Sequence, residues 1–156
     1  MIESELSELY QAVILDHNRA PRNCRRIADA TCTARGLNPH CGDEVRVFVK
    51  DESGVLTDVS FEGSGCAISR ASASLMTTSV KGKTRAQALD LFRRFHDMVA
   101  TDAVPDPQLG KLAVFSGVRD FPSRVKCASL AWHALRSALT DSALQPVTTA
   151  AAPNSE

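Results

Sequence analysis

Apolar residues at Ile2, Leu6, Leu9 and Val13, flanked by Tyr10 and Ile14, recur every three or four positions and predict an opening helix that ends before Pro21. The β-formers Thr31, Cys32 and Thr33 predict a short strand over Ala30 to Arg35. From Asp43 the period changes to two, with Val45, Val47 and Val49 on one face and Arg46, Phe48 and Lys50 on the other. After the turn residues Asp51-Glu52-Ser53-Gly54 a second alternating run, Val55 to Glu62, places Val55, Thr57, Val59 and Phe61 opposite Leu56, Asp58 and Ser60. The two runs predict a β-hairpin.

Gly63-Ser64-Gly65 breaks the strand, and Ile68, Ala71, Ser72, Leu75, Met76 and Val80 return to helical spacing, placing Cys66 in the first turn of a helix. Lys81-Gly82-Lys83 ends that helix. Thr84 and Gln87 have the spacing of a capping box, followed by a helix that buries Ala88, Leu91, Phe92, Phe95, Met98 and Val99. A Pro- and Asp-rich connection, Thr101 to Pro107, precedes a short helical turn at Leu109 to Val114. Phe121-Pro122-Ser123 leads into a last helix to about Leu139, with Cys127, Ala131, Ala134 or Leu135, and Ala138 on one side. Residues 141–156 are rich in Ala, Thr, Ser and Pro without periodicity, which predicts a disordered tail after a single domain, with no internal repeat.

Composition narrows the function. Lys plus Arg equals Asp plus Glu at 18 each, so no basic excess is present to neutralise phosphates, and a nucleic-acid partner is not expected. No apolar run is long enough to span a bilayer and the start is acidic, so the expectation is a cytoplasmic protein with no membrane partner. Five cysteines at irregular spacing, in a chain able to bury a core, argue against a disulfide framework and for metal binding or thiol chemistry.

Three cysteines fall at junctions of predicted elements: Cys41 before the hairpin, Cys66 after it, and Cys127 near the start of the last helix. They are 25 and 61 residues apart, which matches no paired finger, so a shared site has to be assembled by the fold. Open amides at a helix N-terminus favour a thiolate, the form that binds metal or attacks sulfur, and Cys66 and Cys127 hold such places. Asp43, two residues from Cys41 across Gly42, adds a carboxylate within one short loop. Three thiolates and a carboxylate carry more negative charge than a zinc ion cancels, and Arg124 and Lys126 beside Cys127 are the candidate balancing cations. The competing reading makes each Cys a small buried hydrophobe, and Cys24 and Cys32 stay under it. His96 and His133 read as packing or surface residues, and His17 as a cation at the end of the first helix. His40 is ambiguous: adjacent to Cys41, it is able to act as a spare ligand or proton acceptor, against a bland reading with neither role.

Asp16-His17 with Pro21-Arg22-Asn23, then Asn38-Pro39-His40-Cys41-Gly42-Asp43, Gly63-Ser64-Gly65-Cys66-Ala67-Ile68-Ser69 and Phe121-Pro122-Ser123-Arg124-Val125-Lys126-Cys127-Ala128 resemble, in order, the motifs of the NifU-like family of iron-sulfur cluster assembly proteins, over about residues 5–140. Within that family the chain is most similar to the SufU branch. The resemblance implies an α+β fold over residues 1–140, with a three-stranded antiparallel sheet and helices packed on one side. It also implies a Zn²⁺ ion held by Cys41, Asp43, Cys66 and Cys127. It further implies sulfur acceptance from a SufS-type, pyridoxal-phosphate cysteine desulfurase and delivery to downstream assembly machinery. Cys41 would be the acceptor, freed when a desulfurase histidine takes its place on the metal, and Arg124 would balance the acidic site by pairing with Asp43. Scaffold members of the family typically carry a His immediately before the third Cys, where this chain has Lys126, and a shorter segment between the second and third Cys. His40 replaces a more usual small polar residue. A cluster-building scaffold is the main alternative, and a purely structural zinc domain is the third reading.

Overall fold

A computed structural model of the chain describes residues 2–39, 42–101, 106–140 and 147–148. The order of elements is α1 (Ile2–Arg19), β1 (Cys32–Asn38), β2 (Asp43–Glu52), β3 (Val55–Ser64), α2 (Ala67–Val80), α3 (Arg85–Ala100), a 3₁₀ segment (Pro107–Asp120), α4 (Pro122–Leu139) and β4 (Val147–Thr148). Strands β1, β2 and β3 form the expected antiparallel sheet, and β4 adds a two-residue parallel edge beside Gly36 and Leu37. Thus Val147–Thr148 lie in a strand within the segment expected to be disordered, and the remainder of 141–156 falls outside the described residues.

The β2–β3 turn is two residues long because Ser53 and Gly54 both take positive φ, 56° and 87°, the twist a tight hairpin needs. The Asp51 carboxylate accepts the Gly54 N–H at 2.9 Å and braces it. Past the turn the ladder slips, since Lys50 pairs with Asp58 but Asp51 with Leu56. Thr57 is the extra residue of a bulge. The slip corrects the expected faces: Leu56 is buried with Val59 and Phe61, and Thr57 is exposed.

Strand β1 starts two residues later and runs three residues longer than its β-formers predict, to Asn38. Cross-strand pairing of Gly36, Leu37 and Asn38 with Val45, Glu44 and Asp43 overrides the weak strand preference of Gly and Asn. Gly36 has a packing reason as well. A Cβ there would stand 3.0 Å from Leu130 Cδ1, so its absence lets α4 lie close on β1.

Helix α4 is buried around nearly its whole circumference rather than on one side, because it runs between the sheet, α2, α3 and the 3₁₀ segment. Trp132, wholly buried, stacks on Phe95 at 4.7 Å between ring centres, and Phe115 meets Phe95 edge-on at 5.9 Å. The turn expected at Leu109 to Val114 extends to Asp120, in two 3₁₀ pieces that meet at Gly110 (φ 54°). Asp106 caps it by accepting the Gln108 N–H at 2.8 Å. Of the preceding connection, residues 102–105 lie outside the described part. Thr84 and Gln87 make the expected capping box.

The polar face of the sheet is covered too. Ile27 and Phe48 are buried there, with the Arg26 guanidinium 5.8 Å from the Phe48 ring centre. Ion pairs Arg25–Asp58 (2.7 Å) and Lys50–Asp29 (2.7 Å) fasten the covering segment. Cys24 on that segment is exposed, contrary to its reading as a buried hydrophobe, because the backbone bridges to Phe61 and turns the residue outward. Cys32 is half-buried, 3.5 Å from Arg85 Nη2.

His17 is also not a helix-end cation. It is buried, with Nδ1 2.7 Å from Ser74 Oγ, and burial together with the Arg22 charge pushes its pKa down, which favours the neutral ring. Arg22 N–H donates to the same hydroxyl at 2.8 Å and Asn23 Nδ2 to Thr77 Oγ1 at 3.0 Å, so the Asp16-His17 and Pro21-Arg22-Asn23 motifs clasp α1 onto α2. His133, packed edge-on to Phe92 at 5.3 Å, has its pKa pushed down to about 4 by burial, with smaller contributions from His96 and Arg136.

Two predictions follow from this packing. Phe95→Ala removes the ring shared by Trp132 and Phe115, and should cost about 3–5 kcal/mol in urea or thermal unfolding followed by circular dichroism. Because the folded state holds His133 neutral, its stabilising contribution is complete above pH 6.5. It declines as pH falls towards about 4, by up to about 3 kcal/mol. The unfolding free energy of His133→Phe should therefore fall less steeply than that of the wild type across that window.

Candidate metal centre

Asp43, Cys66 and Cys127 come from three different elements and meet at one end of the sheet. One donor atom of each lies within 4.8 Å of the others. Asp43 is the first residue of β2, Cys66 stands before α2, and Cys127 is on α4. The fold thus assembles three of the four expected ligands across 84 residues of chain, from 43 to 127. Cys41 and its neighbour His40 lie outside the described residues. Beyond them Gly42 N–H donates to the Asn38 carbonyl at 2.8 Å, and Gly42 takes a φ of 75° that suits glycine.

Cys66 is the N-cap of α2 rather than a residue of its first turn. Its backbone is extended (φ −73°, ψ 171°), and its sulfur accepts the Ser69 N–H at 3.4 Å. The helix then satisfies a second open amide through Asp43, whose Oδ1 accepts the Cys66 N–H at 3.1 Å. Asp43 Oδ2 lies 3.8 Å from Cys66 Sγ. A carboxylate from β2 and a thiol from the loop together cap α2, where Ser, Thr, Asp or Asn at one position would ordinarily do so. Cys127, in contrast, is the sixth residue of α4, beyond the open amides of that helix's first turn.

Helices α2 and α4 are held close enough for this meeting by small residues. Ser72 Oγ donates to the Ala128 carbonyl at 2.5 Å, one residue past Cys127, and both residues are fully buried. Neither Ser72 nor Gly65 was marked by spacing as part of the site. The signal available was the run Ala71-Ser72-Ala73-Ser74 facing a helix rich in Ala.

Exposure is uneven: Asp43 and Cys127 are 3% and 5% exposed, while Cys66 faces solvent. The expected pairing of Arg124 with Asp43 is not made. Arg124 is exposed, with its guanidinium 4.7 Å above the ring of Phe121, itself half exposed, because α4 begins at the surface and points both outward. Among the described residues, no Lys, Arg or His side chain forms an ion pair with Asp43. A buried carboxylate beside two sulfurs, with no cation among the described residues paired to it, is a donor set suited to zinc, which takes sulfur and oxygen ligands together.

Residues 9–128 match the NifU-like N terminal domain. The chain is 40% identical over 144 residues to the iron-sulfur cluster assembly scaffold protein IscU of Streptococcus pyogenes serotype M1, covering 92% of this chain and 90% of that one. It is 41% identical over 133 residues to the zinc-dependent sulfurtransferase SufU of Bacillus subtilis, covering 85% and 90%. The crystal structure of FiSufU from Fervidobacterium islandicum AW-1 superposes with a TM-score of 0.78 at 35% identity, over 82% of this chain and 94% of that one. The sheet and the helices packed against it are therefore a shared fold, and this chain belongs to the NifU-like N-terminal domain family.

Proposed function

We propose that this protein works in iron-sulfur cluster assembly as a zinc-dependent sulfurtransferase, accepting persulfide sulfur from a SufS-type cysteine desulfurase. The observation that carries this reading is the convergence of Asp43, Cys66 and Cys127 at a partly open end of the sheet. With Cys41 as the fourth donor, these residues would hold Zn²⁺, which keeps thiols deprotonated near neutral pH.

In this reading Cys41 is the nucleophile. Its thiolate attacks the outer sulfur of the desulfurase persulfide, the sulfur-sulfur bond of the donor breaks, and the desulfurase cysteine leaves as a thiolate. Cys41 then carries the persulfide to the downstream machinery. Asp43, pinned by the Cys66 amide, and Cys127, locked in α4, remain in place while sulfur is transferred. Arg124, exposed on Phe121 at the start of α4, supplies positive charge to the anionic persulfide as it arrives.

The second reading is a scaffold on which a cluster is built, favoured by the 40% identity to a protein of that name. Lys126, directly before Cys127 where scaffold members have a histidine, favours the sulfurtransferase.

Cysteine desulfurase turnover, measured as alanine formed from cysteine, should rise on adding the zinc-loaded protein and not the zinc-stripped protein or Cys41→Ala. An absence of stimulation, with iron and sulfide producing a stable cluster chromophore on the chain, would establish the scaffold reading in its place.

A further inference from the structure

A Cβ at Gly65 would stand 2.7 Å from Asp43 Oδ1 and 3.0 Å from its Cγ, closer than real side chains pack. The neighbour that would have to give way is a buried carboxylate, 3% exposed, whose Oδ1 is already committed to the Cys66 amide at 3.1 Å. The other oxygen, Oδ2, lies 3.8 Å from Cys66 Sγ, and one oxygen of this carboxylate meets the Cys66 and Cys127 sulfurs within 4.8 Å. The two oxygens of Asp43 therefore have different surroundings. One is held by the backbone at the start of α2, and the other stands beside the Cys66 sulfur.

We propose that Gly65 is a positioning residue: its missing side chain lets the Cys66 amide hold Asp43 Oδ1, so that Asp43 offers a bound metal one oxygen, Oδ2, in a fixed direction. This rests on the metal-binding reading above and adds to it how the carboxylate is aimed. The same amide that leaves α2 in need of a cap orients the ligand, so ligand geometry and helix capping become a single interaction. Gly65 itself touches no metal. It acts by leaving space, and Gly117, with nothing within 4 Å of its own Cβ position, supplies the matched control.

The test is zinc affinity by chelator competition, with the visible spectrum of the cobalt-substituted protein, for wild type, Gly65→Ala, Asp43→Glu, Cys66→Ser and Gly117→Ala. Gly65→Ala should bind zinc about tenfold or more weakly, in the range typical of groups that orient a ligand, and show altered cobalt ligand-field bands. Gly117→Ala should match wild type. Asp43→Glu keeps the charge but moves the carboxylate off the Cys66 amide, and should lose affinity similarly. Wild-type zinc affinity and cobalt spectrum in Gly65→Ala, alongside weakened binding by Cys66→Ser, would overturn the inference and leave the metal site standing. Undiminished binding by Cys66→Ser would overturn the metal reading itself. If Gly65→Ala fails to fold, by circular dichroism of the metal-free protein, Asp43→Glu decides: wild-type affinity there overturns the positioning role.

Discussion

The close approach of α4 to both the sheet and α2 is the constraint on which the rest of the molecule depends. It is possible because small residues line the contacts: Gly36 under Leu130, and Ser72 against Ala128. Larger side chains at either place would move α4 outward, and Cys127 with it. Aromatic residues fill the far side of the same helix, where Trp132, Phe95 and Phe115 lock its rotation. Dense interiors transmit such displacements rather than absorbing them, so the distance between donor atoms is a property of the whole core.

Polar groups in this fold repeatedly perform two tasks. Ser74 accepts the Arg22 amide and contacts His17, joining α1, the following turn and α2. Asp43 and Cys66 cap α2 and form two thirds of the described donor cluster. The ion pairs over the outer face of the sheet are mostly solvent-exposed and individually contribute little, on the order of 0–1 kcal/mol each. The stabilising part of that face is the apolar pair Phe48 and Ile27 beneath them.

A site built in this way joins a rigid half to an open half. Asp43 and Cys127 are buried and held by β2 and α4, whereas Cys66 is open to solvent. In the proposed sulfur transfer this division would be useful, since a docking enzyme would need access to a thiol while the buried donors keep their geometry. Exposed Phe121 and Arg124, stacked together at the start of α4, lie on the same helix as Cys127 and offer both apolar and cationic contact.

Much of the architecture was legible in the residue pattern. The hairpin, the capping box at Thr84 and Gln87, and the four helices have local causes, because periodicity and capping depend on neighbours in sequence. The motifs around Asp43, Cys66 and Cys127 marked the donors, although their separation gave no geometry. What only the tertiary structure decided involves residues far apart in the chain. Pairing with β2 carried β1 through Gly36 to Asn38, a bulge at Thr57 turned Leu56 inward, and burial pushed the pKa of His17 down. Arg124 lay on Phe121 instead of Asp43, and Gly65 proved to be the space that Asp43 occupies. Such outcomes depend on which surfaces meet, and a linear pattern of side chains records only which surfaces are available.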